Sequence, residues 1–394
     1  MTHSKNPNPK ASFLSPPVIQ MTQDLGFIVS IEVNALCLGH VEWGLKEDQL
    51  DRISKPLFGG LVKAEDECIV VHVKLEDDID PGQPIFYRIV GVPINFESAY
   101  HIHHGEPFAT EVRALALPHP TLESVTLGVV NDTHHFQKVI PELAQHLEQF
   151  SPDLLVWNGD VCHEFNEERD LTSILLSPGA CGPTSSSGGW ASKRPLLFVP
   201  GNHDVRGMKA KQLPKVFPPN SNPELPHNKS FRLGPLAIIT LDAGEDKPDN
   251  HPVFAGTAAY EPYRKLQREW LEEQLALPHI ASAPYKLAFC HIPLRGLDGD
   301  GDGTELEEPA NFSGEGAKEW LPLLVNSQFN GVVSGHTHEY RITPPDQNTP
   351  IYQIVGGGPG PKQATVIKIE ASHSSLNVEI RNLNNEVVLK AELS

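Results

Sequence analysis

Five stretches of this chain set Asp, Asn or His directly after an apolar run. Val130 leads into Asn131-Asp132-Thr133-His134. Trp157 leads into Asn158-Gly159-Asp160, and Val199 into Pro200-Gly201-Asn202-His203-Asp204. Cys290 is followed by His291, and Ser334 by Gly335-His336-Thr337-His338. Carboxylate, imidazole and carboxamide oxygen are ligands for Mn, Fe, Zn or Ni, and the lack of thiolates argues against a structural zinc. A carboxylate has two oxygens and can bridge two ions, so the donor set suits a two-metal site. Asp-x-His and His-x-His can aim two side chains to one side where a strand turns into a loop. A glycine before a ligand lets the backbone turn sharply there.

Such residues need elements that deliver them to one edge. The runs Ser124–Val130, Leu154–Trp157, Leu196–Val199, Ala237–Leu241, Lys286–Cys290 and Gly331–Ser334 read as strands. Leu143, Leu147 and Phe150 recur at helical spacing, and helices fit Tyr263–Leu275 and Ala317–Ser327. Strands alternating with helices imply a layered α/β or α+β domain. The C-terminal edge of strands in an α/β sheet is where ligands bind. The chain closes with β-like runs at Ile351–Val355, Ala364–Ala371, Leu376–Arg381 and Val387–Leu393. Ahead of these elements, residues 18–116 hold short β-rich runs, among them Phe27–Leu38, Ile69–Leu75 and Ile85–Val90, as in a small β-sandwich. We expect an extended or disordered lead-in at 1–17, the sandwich at 18–116, a proline-bearing linker at 117–123 and the metal-bearing domain at 124–394.

The five stretches, in this order, resemble the five motifs of the calcineurin-like metallophosphoesterase superfamily. The resemblance implies a four-layer αββα sandwich and two transition-metal ions, divalent or trivalent. It further implies that Asp160 bridges them, that Asp132, His134 and His338 complete one site, and that Asn202, His291 and His336 complete the other. A hydroxide between the metals would attack phosphorus in line. His203 would stabilise a phosphoryl oxygen or protonate the leaving group, with Asp204 orienting its ring. The implied activity is hydrolysis of phosphate monoesters or diesters. A β-module ahead of such a domain also resembles purple acid phosphatases, which carry a fibronectin-III-like domain there. Those enzymes begin with Asp-x-Gly and place a tyrosine ligand three residues after the Gly-Asp aspartate. Here His134 and His163 hold those positions, so a purple Fe(III) centre is not expected.

Arg206, Arg295, Lys247, His135 and His163 neighbour the motifs and are candidates for contact with a substrate phosphate. Cys162 and Cys290 also neighbour ligands and read as packed side chains. His101-Ile102-His103-His104 reads as a solvated strand. Asp298-Gly-Asp300-Gly-Asp302 opens like an EF-hand loop, but Pro309 stands where a bidentate Glu is required. Gly356 to Gly360 fits no Walker A spacing and suits a loop passing close to the metal site. Cys181–Gly189 reads as a surface loop and Asp242–Ala259 as a long polar loop.

The chain of 394 residues carries 31 Lys+Arg against 50 Asp+Glu, a net charge of −19. That excludes a general nucleic-acid binder, which needs a basic face. It does not exclude phosphate chemistry, because two bound cations invert the local field. No run is apolar enough to span a membrane, and the first twenty residues lack the pattern of a signal peptide. Five widely spaced cysteines do not make a disulfide framework. A cytoplasmic setting is the simpler expectation, with periplasmic or secreted placement as the alternative. A small phosphate ester is the expected partner. The rival reading, from a different class, is an inactive metal-bound scaffold acting through its β-module.

Overall fold

The computed structural model describes residues 10–23, 26–76, 79–80, 82–135, 138–167, 169–177, 190–219, 222–295 and 314–393. The segments 181–189 and 298–312, and most of the lead-in, lie outside the described residues.

Two sheets form the centre. The first has nine strands, in the order Val387–Glu392, Leu376–Asn382, Thr365–Ser372, Ser124–Val130, Leu154–Asn158, Leu196–Val199, Val18–Met21, Gly26–Glu32 and Cys68–Lys74. The second has six: Lys229–Leu233, Leu236–Leu241, Tyr285–Cys290, Gly331–Ser334, Tyr352–Val355 and Arg341–Thr343. In each sheet the strands that precede the motifs run parallel, Leu127 opposite Leu154 in the first and Leu287 opposite Gly331 in the second. All five motif stretches therefore leave their strands at C-terminal ends.

Alternation along these strands divides the core. Leu127, Val129, Val156 and Val199 face Ile238, Leu287, Phe289 and Val333 across the inter-sheet space. The opposite face of the nine-stranded sheet, with Val130, Trp157 and Phe198, packs on Leu143 and Leu147 of the helix Ile140–Phe150 and on Leu171 and Leu175 of Asp170–Leu176. On the far side, Ile239, Ala288 and Val332 pack on Leu271 of Tyr260–Leu275 and on Trp320 and Leu324 of Gly314–Asn326. The result is an αββα sandwich.

The strand-rich N-terminal region precedes it and is hydrogen-bonded into it. Its own core joins Phe27, Val29, Ile31 and Ile69 to Val41, Trp43, Tyr87 and Ile89, so two sheets do face one another there. One of them is shared: Gln20 pairs in parallel with Leu196, which makes the N-terminal strands a continuation of the nine-stranded sheet. Val18–Met21 is buried on both faces, Val18 within the helix-side core and Ile19 within the N-terminal one.

Some local expectations shift. The run Phe27–Leu38 is two strands, Gly26–Glu32 and Cys37–Gly44. Between them the Asn34 side chain accepts the N–H of Ser12 at 2.8 Å and leaves the ladder. The helix expected from Tyr263 starts at Tyr260, where Asp249 accepts the N–H groups of Tyr260 and Glu261 at 2.8 and 3.0 Å. The helix Asp170–Leu176 carries no helical period in its sequence, since five of its seven residues are buried. Among the described residues no helix is long and apolar enough to cross a membrane.

Candidate metal centre

The motif residues meet at the strand ends. The donor atoms of Asp132, His134 and His338 lie within 4.8 Å of one another, and so do those of Asp160, His291 and His336. Asp160 Oδ2 stands 3.2 Å from His291 Nε2 and 3.7 Å from His134 Nε2, so one carboxylate faces an imidazole from each group. Asn202 Oδ1 lies 3.0 Å from His336 Nδ1. His338 Nε2 lies 3.3 Å from Asp132 Oδ1 and 3.2 Å from His134 Nε2. Asp132, Asp160, Asn202 and His291 are almost fully buried.

The backbone is bent to achieve this. Asp132, His134, Asp160, His336 and His338 all have φ between +43° and +72°. That region disfavours side chains with a Cβ, and each such residue costs on the order of 1–3 kcal/mol unless its surroundings enforce it. The enforcing contacts are visible. Asp132 accepts the backbone N–H of His336, at 3.1 Å on Oδ1 and 2.9 Å on Oδ2, and the side-chain amide of Asn131. His291 Nδ1 is held 2.8 Å from the carbonyl of Asn158, which leaves Nε2 facing the carboxylates. Gly159 has φ +83°, and a Cβ there would lie 2.3 Å from the His291 ring. A Cβ on Gly358 would lie 2.6 Å from His338 Cβ, so the glycine-rich loop does pass against the site.

The electrostatics favour bound cations. Burial penalises the charged form of His291, but the Asp160 and Asp132 carboxylates outweigh it and carry its pKa up to about 10. Burial works against the Asp160 charge too, yet His291 above all holds that carboxyl below the usual range. Positive charge is what this pocket is built to hold. His134 is the contrast: burial lowers it to about 4, against the pull of Asp160 and Asp132, leaving a neutral ring with a lone pair to donate. Buried carboxylates and a neutral imidazole are donors of the kind that transition-metal ions take, and the groups Asp132, His134, His338 and Asp160, His291, His336 could each hold a metal ion, with Asn202 Oδ1 beside the second.

The surrounding residues depart from the expected roles. Asp204 does not orient His203. Its fully buried carboxylate accepts three backbone N–H groups, from Asp160 and Gly201 on Oδ2 at 2.8 Å each and from Val161 on Oδ1 at 3.0 Å. Burial, then the Asp160 charge, pushes its pKa up to about 8 against those donors. His203 is placed instead by its Nδ1, 3.0 Å from the carbonyl of His163. Its own backbone N–H donates to Asp160 Oδ1 at 2.9 Å. His163 lies beside it, its ring 4.7 Å from that of His134 and 5.8 Å from that of His203. His134, His163 and His203 form a third group of clustered donors, and no such group among the described residues lies elsewhere, His101–His104 included.

Arg206 reaches the site, with Nη1 3.2 Å from either ring nitrogen of His203. Its guanidinium is gripped by both Glu245 oxygens at 2.7 Å. Glu245 and its buried neighbour Asp246 belong to the long loop after Leu241, and no local sequence signal marked them. Burial works against the Asp246 charge, but Lys247, His336 and Arg206 outweigh it and hold that carboxyl low. Lys247 is tied to Asp246 at 2.7 Å. Arg295 is turned away. It donates to the carbonyls of Pro344 and Ile351 at 2.8 and 3.0 Å and pairs with Asp346, so its guanidinium serves that loop and not a substrate. His135 joins the site through its backbone, its N–H donating to Val161 O at 2.5 Å. Cys162 and Cys290 are buried free thiols, as packing side chains are.

Comparison with known proteins adds to this geometry. Over 268 residues, 66% of this chain, it is 25% identical to purple acid phosphatase 22 of Arabidopsis thaliana, and spans 55% of that relative's length. Among solved structures, GAP50, the anchor in the inner membrane complex of Plasmodium, is matched over 69% of this chain and 89% of its own, with 14% identity and a TM-score of 0.48. The phosphoesterase Yfce of E. coli is matched over 68% of this chain and 100% of its own, with 13% identity and a TM-score of 0.32. The sequence profile of the calcineurin-like phosphoesterases matches residues 125–340, more than half of the chain and all five motif stretches. The chain is a member of the calcineurin-like phosphoesterase family.

Proposed function

We propose that this protein hydrolyses small phosphate esters at a two-metal centre, with Asp160 shared between the ions. One observation carries the reading: the Asp160 carboxylate faces His134 of one donor group and His291 of the other. Asp132, His134 and His338 would hold one cation, and Asn202, His291 and His336 the other. Two ions so held would supply the charge that lowers the pKa of an attacking water and offsets the phosphoryl charge.

The chain's own residues would do the rest. The carbonyl of His163 can only accept, so it fixes Nδ1 of His203 as a donor, with Nε2 the ring nitrogen beside Arg206 Nη1. As the doubly protonated ring, His203 would donate its Nε2–H to a phosphoryl oxygen or pass that proton to the leaving group. Arg206, braced by Glu245, would meet a phosphate oxygen beside it. Glu245 and Asp246 bring the long loop against the centre, which supports a compact substrate.

The test is turnover of bis-p-nitrophenyl phosphate and p-nitrophenyl phosphate after loading with Mn, Fe or Zn. Hydrolysis that depends on the metal supports the proposal. Absence of turnover by fully metallated protein across a broad ester panel would overturn it.

A further inference from the structure

The excursion between the strands Arg52–Ser54 and Ala64–Glu65 builds a finger that the phosphoesterase site does not use. Leu57–Phe58 pairs with Leu61–Val62, Leu57 opposite Val62 and Phe58 opposite Leu61, and Lys63 N–H donates to Pro56 O at 2.9 Å to close its base. The apolar side chains are out: Leu57 is 63% exposed, Phe58 72% and Leu61 71%, with Val62 at 38% and Ile53 beside them at 58%. Gly59 and Gly60 form the tip, and a side chain at either would meet no atom within 4 Å among the described residues.

Three features select the partner. Paired residues of an antiparallel hairpin share a face and successive residues alternate, so Leu57 and Val62 cover one face and Phe58 and Leu61 the other. A finger apolar on both faces suits a medium that surrounds it, not a flat one-sided groove. Residues 53–63 also contain two lysines, Lys55 and Lys63, and no acid, in a chain with 50 acidic residues. Both lysines sit at the base, and Lys63 Nζ lies 5.9 Å from the Phe58 ring centre, where its charge can reach past the apolar stem. An apolar tip with cations at its base matches acyl chains beneath phosphate headgroups.

We propose that this hairpin docks the protein peripherally on a phospholipid bilayer, Leu57, Phe58, Leu61 and Val62 entering the acyl boundary and Lys55 and Lys63 meeting headgroup phosphates. The net charge of −19 repels anionic surfaces, so a zwitterionic bilayer is the appropriate probe.

The experiment is co-sedimentation of the full chain with phosphatidylcholine vesicles, beside sedimentation velocity without lipid. The native protein is expected to pellet with vesicles. The double variant Phe58→Ser/Leu61→Ser is expected to lose about tenfold or more in partitioning, with unchanged thermal denaturation and ester turnover. A Phe58→Trp variant reports the contact directly, its emission being quenched by brominated phosphatidylcholine. Failure of the native protein to bind, or equal binding by the double variant, overturns the proposal. So does a native dimer that the double variant turns into a monomer, since the finger would then pair with a second copy.

Discussion

The carboxylate of Asp204 grips the main chain of Asp160, accepting its N–H at 2.8 Å while taking the N–H of Val161 at 3.0 Å and of Gly201 at 2.8 Å. The Gly-Asp turn and the Gly-Asn-His-Asp turn are thus locked to each other by one buried side chain. The lock keeps Asp160 at φ +52°, a backbone state it would not hold unaided.

Asp204→Asn puts an amide N–H₂ against one of three N–H donors. The expected result is a loss of about 1–3 kcal/mol in metal-free stability, from the unsatisfied buried donor, together with weaker metal retention. Urea denaturation of chelator-treated protein checks it. A variant of native stability but altered turnover would restore the role of Asp204 in orienting His203.

Asp160→Asn and His203→Ala should separate holding metal from using it. The first removes a charge shared by both donor groups, and most metal and activity should go with it. The second should keep its metals and lose turnover by about 10²–10⁴-fold, the usual worth of a positioned acid or base. Elemental analysis beside turnover decides. Full metal in the first, or lost metal in the second, would exchange the assignments.

Glu245 bears on Arg206. Glu245→Gln leaves the guanidinium one oxygen instead of two and frees it to shift against His203. We expect metal content to hold and kcat/KM to fall by about 10–100-fold, the scale of a misplaced contact near the reacting atoms. An unchanged kcat/KM means that Arg206 needs no brace.

His227 gives the protein an acid-sensitive element outside the clustered donor groups. It is buried, and burial first, with Lys229 beside it, lowers its pKa from 6.5 to about 3. The unfolded chain therefore takes up the proton first, so this contribution to stability is present above pH 6.5 and is lost as pH falls toward 3. At pH 5 the loss is about 2 kcal/mol. In His227→Gln the fall in stability between pH 7 and pH 5 should be smaller by that amount, measured on chelator-treated protein. Parallel curves for the two proteins would count against a neutral buried ring.

The sequence by itself determined which Asp, Asn and His residues follow the central strands, their order and the strand ends that carry them. Each of those is a local pattern: an apolar alternation of period two, then a glycine, then a ligand within a few residues. Strand and helix periods gave a layered α/β or α+β domain for the same reason, since they repeat over segments short enough to read, and the order of the motifs pointed through the family resemblance to the αββα sandwich. Tertiary structure decided what those side chains face. Asp204 reaches back to Asp160, Arg206 finds Glu245, and Arg295 leaves for Asp346, each through partners distant in the chain. It also decided that Val18–Met21 zips onto Leu196–Val199 and ties the N-terminal strands to the nine-stranded sheet. Hydrogen bonds between distant residues leave no period in a sequence, because their geometry exists only once the sheets have stacked.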